Sequence, residues 1–330
     1  MTALSPIFSS QGFIVLDGGL ATELERRGAD LSDALWSARQ LIEGPELIRL
    51  VHQDYYAAGA DVAVSASYQA SLAGFAARGV SATEARRLMA LSVELAREAR
   101  DDFWNDASRQ ANGRLRPLVA GSVGPYGAAL ADGSEYRGSY GVARQVLADF
   151  HGPRLEALVG SGPDLLAIET IPSLEEALVV LDLLESWPSV EAWVTFTCRD
   201  REQVSEGQPV VEAIAAVTGY PQVVAVGFNC VAPALVEPLL AVARPVTDKP
   251  LVVYPNSGEV WDAERRRWIP GAGPFDFGAA APGWLEGGAR LIGGCCRTTP
   301  ETIRAIRTAL RAARVPRRFG PLHQNIPPQT

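Results

Sequence analysis

The sequence predicts an α/β fold of the (β/α)8 TIM barrel kind, and three observations carry that reading. Eight short apolar runs recur along the chain, separated by segments with helical patterning. The runs are apolar on both faces, as in Val223-Val224-Ala225-Val226, which suits a parallel sheet covered by helices. With 330 residues, 47% of them hydrophobic, the chain can bury the core of one large barrel. A doubly wound open sheet uses the same alternation and is the competing architecture.

In chain order the predicted strands are Phe13–Asp17, Asp61–Ser65, Pro117–Gly121, Asp164–Glu169, Ala192–Thr197, Val223–Asn229, Leu251–Pro255 and Ala289–Gly293. The helices between them announce themselves at their N-termini. Ser81-Ala82-Thr83-Glu84 opens an Ala-, Arg-, Glu- and Leu-rich stretch reaching about Trp104, with Ser81 or Thr83 as cap. Ser173 followed three residues later by Glu176 has capping-box spacing. Thr299-Pro300 starts the last helix, with proline at the first helical position. Two connections are long: 122–138 after the third strand, and 256–273 after the seventh, which holds Trp261 and Trp268. Both follow strands, so in a barrel they sit on the catalytic rim, as lids or as rim decoration. No Ser/Gly linker, low-complexity block or repeat divides the chain, so residues 1–330 read as one domain, with a Pro- and Arg-rich tail (314–330) expected to pack loosely.

A net charge of −8 with Lys and Arg scattered among acids excludes a nucleic-acid surface, and Arg265-Arg266-Arg267 reads as a solvated loop. No apolar stretch is long enough to span a bilayer; Asp182, for example, interrupts 177–184. The N-terminus lacks the basic flank and apolar block of a signal peptide. The expectation is a cytoplasmic protein with reduced thiols, which favours metal binding over disulfides.

The cysteines are the most informative residues. Cys230 ends the sixth predicted strand, while Cys295 and Cys296 end the eighth. In a barrel those strand ends lie two apart on one rim, so the thiols can converge. Neighbouring side chains on a regular strand point to opposite faces, so a shared ion requires the chain to leave extended geometry. Gly293 and Gly294 are expected to provide that freedom. Three thiolates with an open fourth position describe a catalytic zinc site. Cys198, ending the fifth strand, reads as a buried residue, although it could close a four-cysteine structural zinc site in a binding protein. A redox dithiol of Cys295 and Cys296 is the other alternative. His52 and His151 fall in predicted helices and His323 in the tail, so histidine offers no competing metal or triad chemistry.

Asp17-Gly18-Gly19, Glu169-Thr170, Gly227-Phe228-Asn229-Cys230 and Gly293-Gly294-Cys295-Cys296, in that order, resemble the homocysteine S-methyltransferase family from about Phe13 to Leu310. The resemblance implies a zinc-containing barrel that methylates the sulfur of homocysteine to give methionine. Ser67-Tyr68-Gln69-Ala70, Glu169-Thr170-Ile171-Pro172 and Tyr254-Pro255-Asn256-Ser257-Gly258-Glu259 are similar to the stand-alone branch that uses S-methylmethionine or S-adenosylmethionine. Thr170 stands where the betaine-dependent branch has tyrosine, and the chain has no room for folate or cobalamin modules. The resemblance makes Cys230, Cys295 and Cys296 the zinc ligands and gives Asp17 and Glu169 to homocysteine binding, where they would hold its ammonium group. Asp17 also suits a turn before two glycines, and Glu169 a structural ion pair. Backbone amides near Gly18 and Gly19, with the Ser67 hydroxyl, are candidates for the homocysteine carboxylate, and Asn229 for support of the site. Tyr68, Tyr126 and Trp261 are candidate aromatic faces for a sulfonium cation.

Overall fold

The structure is a computed structural model that describes residues 2–31, 35–111, 113–262, 267–269 and 274–313. Its strands are β1 (Ile14–Val15), β2 (Val62–Val64), β3 (Leu118–Val123), β4 (Leu165–Ile171), β5 (Ala192–Phe196), β6 (Val223–Asn229), β7 (Leu251–Tyr254), β8 (Val260–Asp262), β9 (Arg267–Ile269) and β10 (Ala289–Ile292). All but β8 and β9 form one parallel sheet in the order β1-β10-β7-β6-β5-β4-β3-β2. A parallel bridge between Leu16 and Val62 joins its two ends, and the Asp17 N–H donates to the Val62 carbonyl at 3.1 Å. The sheet is therefore a closed barrel, and the open-sheet alternative is excluded. Each of the eight predicted strands overlaps a barrel strand.

Side-chain alternation sorts the strands into two apolar layers. Leu165 and Ala167 of β4 join Trp193, Ala225, Val252 and Leu291 in a cluster inside the barrel, while Leu166 and Ile168 pack outward against the helices. Leu4 and Ile7, at the start of the chain, belong to the inner cluster, so the N-terminal helix Ser5–Gln11 closes one end of the barrel. Beside it, Arg307 of the last helix pairs with buried Asp61 at 2.6 Å. The other end, where strands finish, stays open for chemistry.

Helix starts follow the capping signals, with one exception. Ser81 Oγ accepts from the Glu84 N–H at 3.2 Å, and Thr299 caps Pro300–Ala312 with proline in its first turn. Ser173 Oγ likewise accepts from the Glu176 N–H at 3.1 Å. The Glu176 carboxylate is drawn elsewhere: it is fully buried and bound by His151 Nε2 at 2.9 Å and the Tyr140 hydroxyl at 3.0 Å. The long connections also hold regular structure. After β3 come the helix Tyr126–Leu130 and a 3-10 turn at Ser134–Tyr136; after β7 comes the antiparallel β8–β9 hairpin. Arg265, Arg266, His323 and the tail 314–330 lie outside the described residues. Among the described residues, no helix is long and apolar enough to cross a membrane.

Gly227 shows how tightly β6 and β7 pack. A Cβ there would fall on the Val252 carbonyl, which is backbone and cannot rotate away. Gly227→Ala is expected to lower stability by more than about 4 kcal/mol. Urea denaturation checks this; a loss under about 1 kcal/mol contradicts the packing.

Candidate active site and metal centre

Two strand ends deliver the thiols. Beyond β6, Cys230 turns sharply with φ of 48°, and its N–H donates to the Tyr254 carbonyl at 3.1 Å. Beyond β10, the Cys295 N–H donates to the Pro255 carbonyl at 2.8 Å, and the Cys296 carbonyl accepts from the Ser257 N–H at 3.1 Å. The left-handed residue after β10 is Arg297, at φ 64°. Gly293 and Gly294 have no positive φ, so the conformational freedom expected of them is not what the fold uses. A Cβ on Gly293 would lie 2.7 Å from Leu16 Cβ and 2.8 Å from the Asp17 carbonyl, while one on Gly294 would collide with Thr298. Gly293 serves close approach of the chain to the segment after β1, and Gly294 the tight turn back to Thr298.

The result is a cluster in which the sulfurs of Cys230, Cys295 and Cys296 all lie within 4.8 Å of one another. Cys295 and Cys296 Sγ are 4.0 Å apart, and Cys230 and Cys295 are joined as a disulfide. Four-coordinate zinc with bonds of about 2.3 Å sets its sulfurs about 3.8 Å apart; Cys295 and Cys296 stand near that spacing, and Cys230 and Cys295 can adopt it once their disulfide is reduced. A disulfide offers no thiolate, so metal binding requires the reduced pair. Burial pushes the Cys296 thiol up to about 12, against the opposing hydrogen bond with Tyr136. Cys198 is apart from the trio. It is buried in the outer apolar layer, which raises its thiol pKa.

The cluster opens into a cavity of about 430 Å³ whose lining includes Asp17, Glu169, Tyr68, Tyr254 and the three cysteines. Asp17 is buried, accepts from the Val64 N–H at 2.8 Å, and is held well above the usual carboxylate range by burial, with the Glu169 charge adding to the rise. Burial likewise lifts Glu169 to about 7, opposed by its hydrogen bonds from Ser122 and Tyr254. The Tyr254 hydroxyl donates to Glu169 Oε2 at 3.0 Å and is itself braced by Trp193 Nε1 at 3.1 Å and Thr195 at 2.9 Å. Asn229 does not line the cavity. Fully buried, it clamps Thr170: Oδ1 accepts from the Thr170 N–H at 2.8 Å, and Nδ2 donates to Thr170 Oγ1 at 2.7 Å. That clamp holds Thr170 at φ 59° beside Glu169.

Three expectations change. The Ser67 hydroxyl donates to the Ser122 carbonyl at 2.8 Å and is absent from the lining; Ser65 is on the wall instead. The Gly19 N–H already donates to Thr298 Oγ1 at 3.1 Å, so of the two proposed amides only that of Gly18 has no such bond among the described residues. Tyr126 packs edge-on to Tyr140 and Phe150 away from the cavity, and the Trp261 side chain lies outside the described residues. Sequence reasoning missed Glu135 and Tyr136, which line the cavity from the connection after β3. No motif marks them. Asp17, Glu25, Asp30, Glu135 and Glu169 all line the cavity, and no Lys, Arg or His does among the described residues.

A closed barrel that gathers three thiols and a set of buried carboxylates at its open end is, by class, a thiolate-metal (β/α)8 enzyme. The profile of the homocysteine S-methyltransferase family matches residues 14–310. The chain is 49% identical over 306 residues to homocysteine S-methyltransferase YbgG of Bacillus subtilis (strain 168), covering 93% of this chain and 97% of that one. It superimposes on the metallated form of the homocysteine methyltransferase MmuM from Escherichia coli with a TM-score of 0.83 at 48% identity, covering 93% of this chain and 99% of that one. The oxidised form of the same protein matches with the same TM-score, identity and coverage. The chain belongs to the homocysteine S-methyltransferase family.

Each thiol is expected to be needed for metal. Cys295→Ala should bring bound metal from about one ion per chain to near zero with an unchanged far-UV spectrum, while Cys198→Ser keeps the wild-type content. Elemental analysis of reduced protein decides; metal lost from Cys198→Ser instead would mark a four-sulfur site.

Proposed function

We propose that this chain transfers a methyl group from a sulfonium donor, S-methylmethionine or S-adenosylmethionine, to the sulfur of homocysteine held on zinc, giving methionine. The observation that carries this is a cavity in which three soft sulfurs meet buried carboxylates with no basic residue in the described lining. Three sulfurs without imidazole select a soft, tetrahedral ion over magnesium or calcium. A wall of carboxylates repels an anionic donor and attracts a cationic one. The reduced thiols that the site needs fit a cytoplasmic protein, with one barrel as the working unit.

Cys230, Cys295 and Cys296 would hold the ion. Zinc held there would supply Lewis acidity that favours the thiolate form of homocysteine, the thiol proton going to solvent. Against an ordinary thiol, full ionisation at pH 7 is worth about 2 kcal/mol. Three thiolates around a dication leave a formal −1, so electron density stays on the attacking sulfur. Asp17 and Glu169 grip the homocysteine ammonium, and Tyr254 and Ser122 keep Glu169 aimed. The attacking sulfur forms a bond to the methyl carbon as the donor's sulfur–carbon bond breaks, and the donor leaves as a neutral thioether. Holding the two sulfurs in line with the methyl supplies most of the acceleration, about 7–11 kcal/mol. Cys230 and Glu169 are buried and Cys295 and Cys296 half-buried, which limits the access of competing water.

Zinc-loaded, reduced protein is expected to form methionine from homocysteine with either sulfonium and to use betaine less well; turnover by rigorously metal-free protein would falsify the zinc assignment. Glu169 adds a pH signature. Its carboxyl, raised to about 7, is protonated and neutral below that pH and loses its grip on the ammonium. The homocysteine KM should therefore fall about tenfold from pH 6 to pH 8, and Glu169→Gln should raise KM and flatten that limb. A profile unchanged in the variant would assign the titration to another group.

A further inference from the structure

Two hydrogen-bond acceptors in the cavity wall lack a donor. Glu135 and Gln69 are each only 8% exposed, and among the described residues neither Glu135 Oε2 nor Gln69 Oε1 has a hydrogen-bond partner. Both residues line the cavity. The Gln69 amide orientation is fixed, because its Nε2 donates to the Ala128 carbonyl at 3.0 Å and leaves Oε1 as the free end. The Glu135 backbone lies against Gly127, the neighbour of Ala128 on the helix Tyr126–Leu130, since a Cβ on Gly127 would lie 2.5 Å from the Glu135 nitrogen. The connections after β2 and β3 thus each present one such acceptor to the same cavity.

Buried acceptors left without donors are costly, and the missing group must bring N–H or O–H bonds. A sulfonium has none, whereas an ammonium has three. If both substrates are amino acids, two ammonium groups need places. Asp17 beyond β1 and Glu169 on β4 serve one of them, leaving this pair for the other. Glu135 also lies on the thiol side of the cavity: Tyr136, next to it, hydrogen-bonds the Cys296 sulfur, and the Glu135 charge is felt there.

We propose that Glu135 and Gln69 form the subsite for the α-ammonium of the methyl donor, and that Glu135 selects amino-acid sulfoniums over simple ones. This rests on the sulfonium-to-homocysteine reading above. The ammonium keeps its charge while the methyl moves, so the contact is equal in the ground and transition states and governs KM rather than kcat.

The test uses zinc-loaded, reduced protein with S-methylmethionine and with dimethylsulfoniopropionate, which has a sulfonium and a carboxylate but no ammonium. Glu135→Gln should raise the S-methylmethionine KM about 30-fold or more. It should shift kcat by less than about threefold and leave the KM values for dimethylsulfoniopropionate and homocysteine in place. Gln69→Met should raise the same KM about tenfold. Melting temperature is the folding control: Glu135→Gln removes a buried, unpaired charge, so it should match or exceed wild type, where a structural role predicts a fall. Equal KM rises for both donors, a rise for homocysteine instead, or no change overturns the subsite alone. Wild-type protein inactive with every sulfonium overturns the reading of function along with it.

Discussion

The placement of the cysteine pair against Asp17 depends on how closely the last barrel strand lies against the first. The Gly294 N–H donates to the Asp17 carbonyl at 3.1 Å, and Thr298 Oγ1 links the Gly19 N–H to the Cys295 carbonyl, to which it donates at 2.7 Å. This seam sets the cysteine pair beside the carboxylate that follows β1. Gly293 and Gly294 leave no space there for a methyl group. Interiors packed this densely pass on displacement rather than absorb it. A widened seam would move Cys295 and Cys296 relative to both Cys230 and Asp17, so metal binding and substrate binding share one mechanical origin.

The cavity built on that seam works against ordinary burial energetics. Asp17, Glu135 and Glu169 all have raised carboxyl pKa values, with desolvation the largest cause in each case. Neighbouring carboxylates without a basic partner oppose one another's ionisation. The molecule accepts that cost where a cationic ligand can offset it. The same field acts on the sulfurs, since Glu135 and Glu169 both push the Cys296 thiol upward. An incoming cation and a bound dication would therefore each make the other groups easier to ionise, and occupancy of the metal centre and of the ammonium sites should favour one another.

Much of this was legible in the sequence because strands and strand ends carry strong local signals. β4 and β6 are apolar on both faces, so their course follows from the apolar runs; Cys230 stands directly after β6, while β4 continues two residues past Glu169 to Ile171. The convergence of three cysteines needed only the barrel's strand order. What stayed hidden depends on contacts between loops. Ser67 sits in a suggestive motif, yet its hydroxyl is claimed by the Ser122 carbonyl, a partner 55 residues away. The two glycines before Cys295 look like hinges in one dimension and prove to be contact points in three. Glu135 lies in a connection with no motif, and only folding shows that its carboxylate faces inward without a donor.

Its position is set from outside the barrel. Arg154, on the helix Arg144–Gly160, is buried and donates to the carbonyls of Ala70 and Gly124 at 2.8 Å and of Tyr68 at 3.0 Å, tying together the connections after β2 and β3. Burial lowers its pKa to about 10, so it remains a cation at neutral pH. Glu176 answers that charge and receives the Tyr126 N–H at 2.5 Å, which anchors the short helix between Glu135 and Gln69. Its divergence from the expected capping box is explained by this second task. His151 links the two charges, with Nε2 on Glu176 at 2.9 Å and Nδ1 on Arg154 at 3.3 Å, and breaking such a buried charged network is expensive, so it enforces a single arrangement of the backbone it binds. The pair makes no contact with the cavity, yet it fixes the rim segments that do, and the chemistry-bearing wall is only as well placed as this distant clamp.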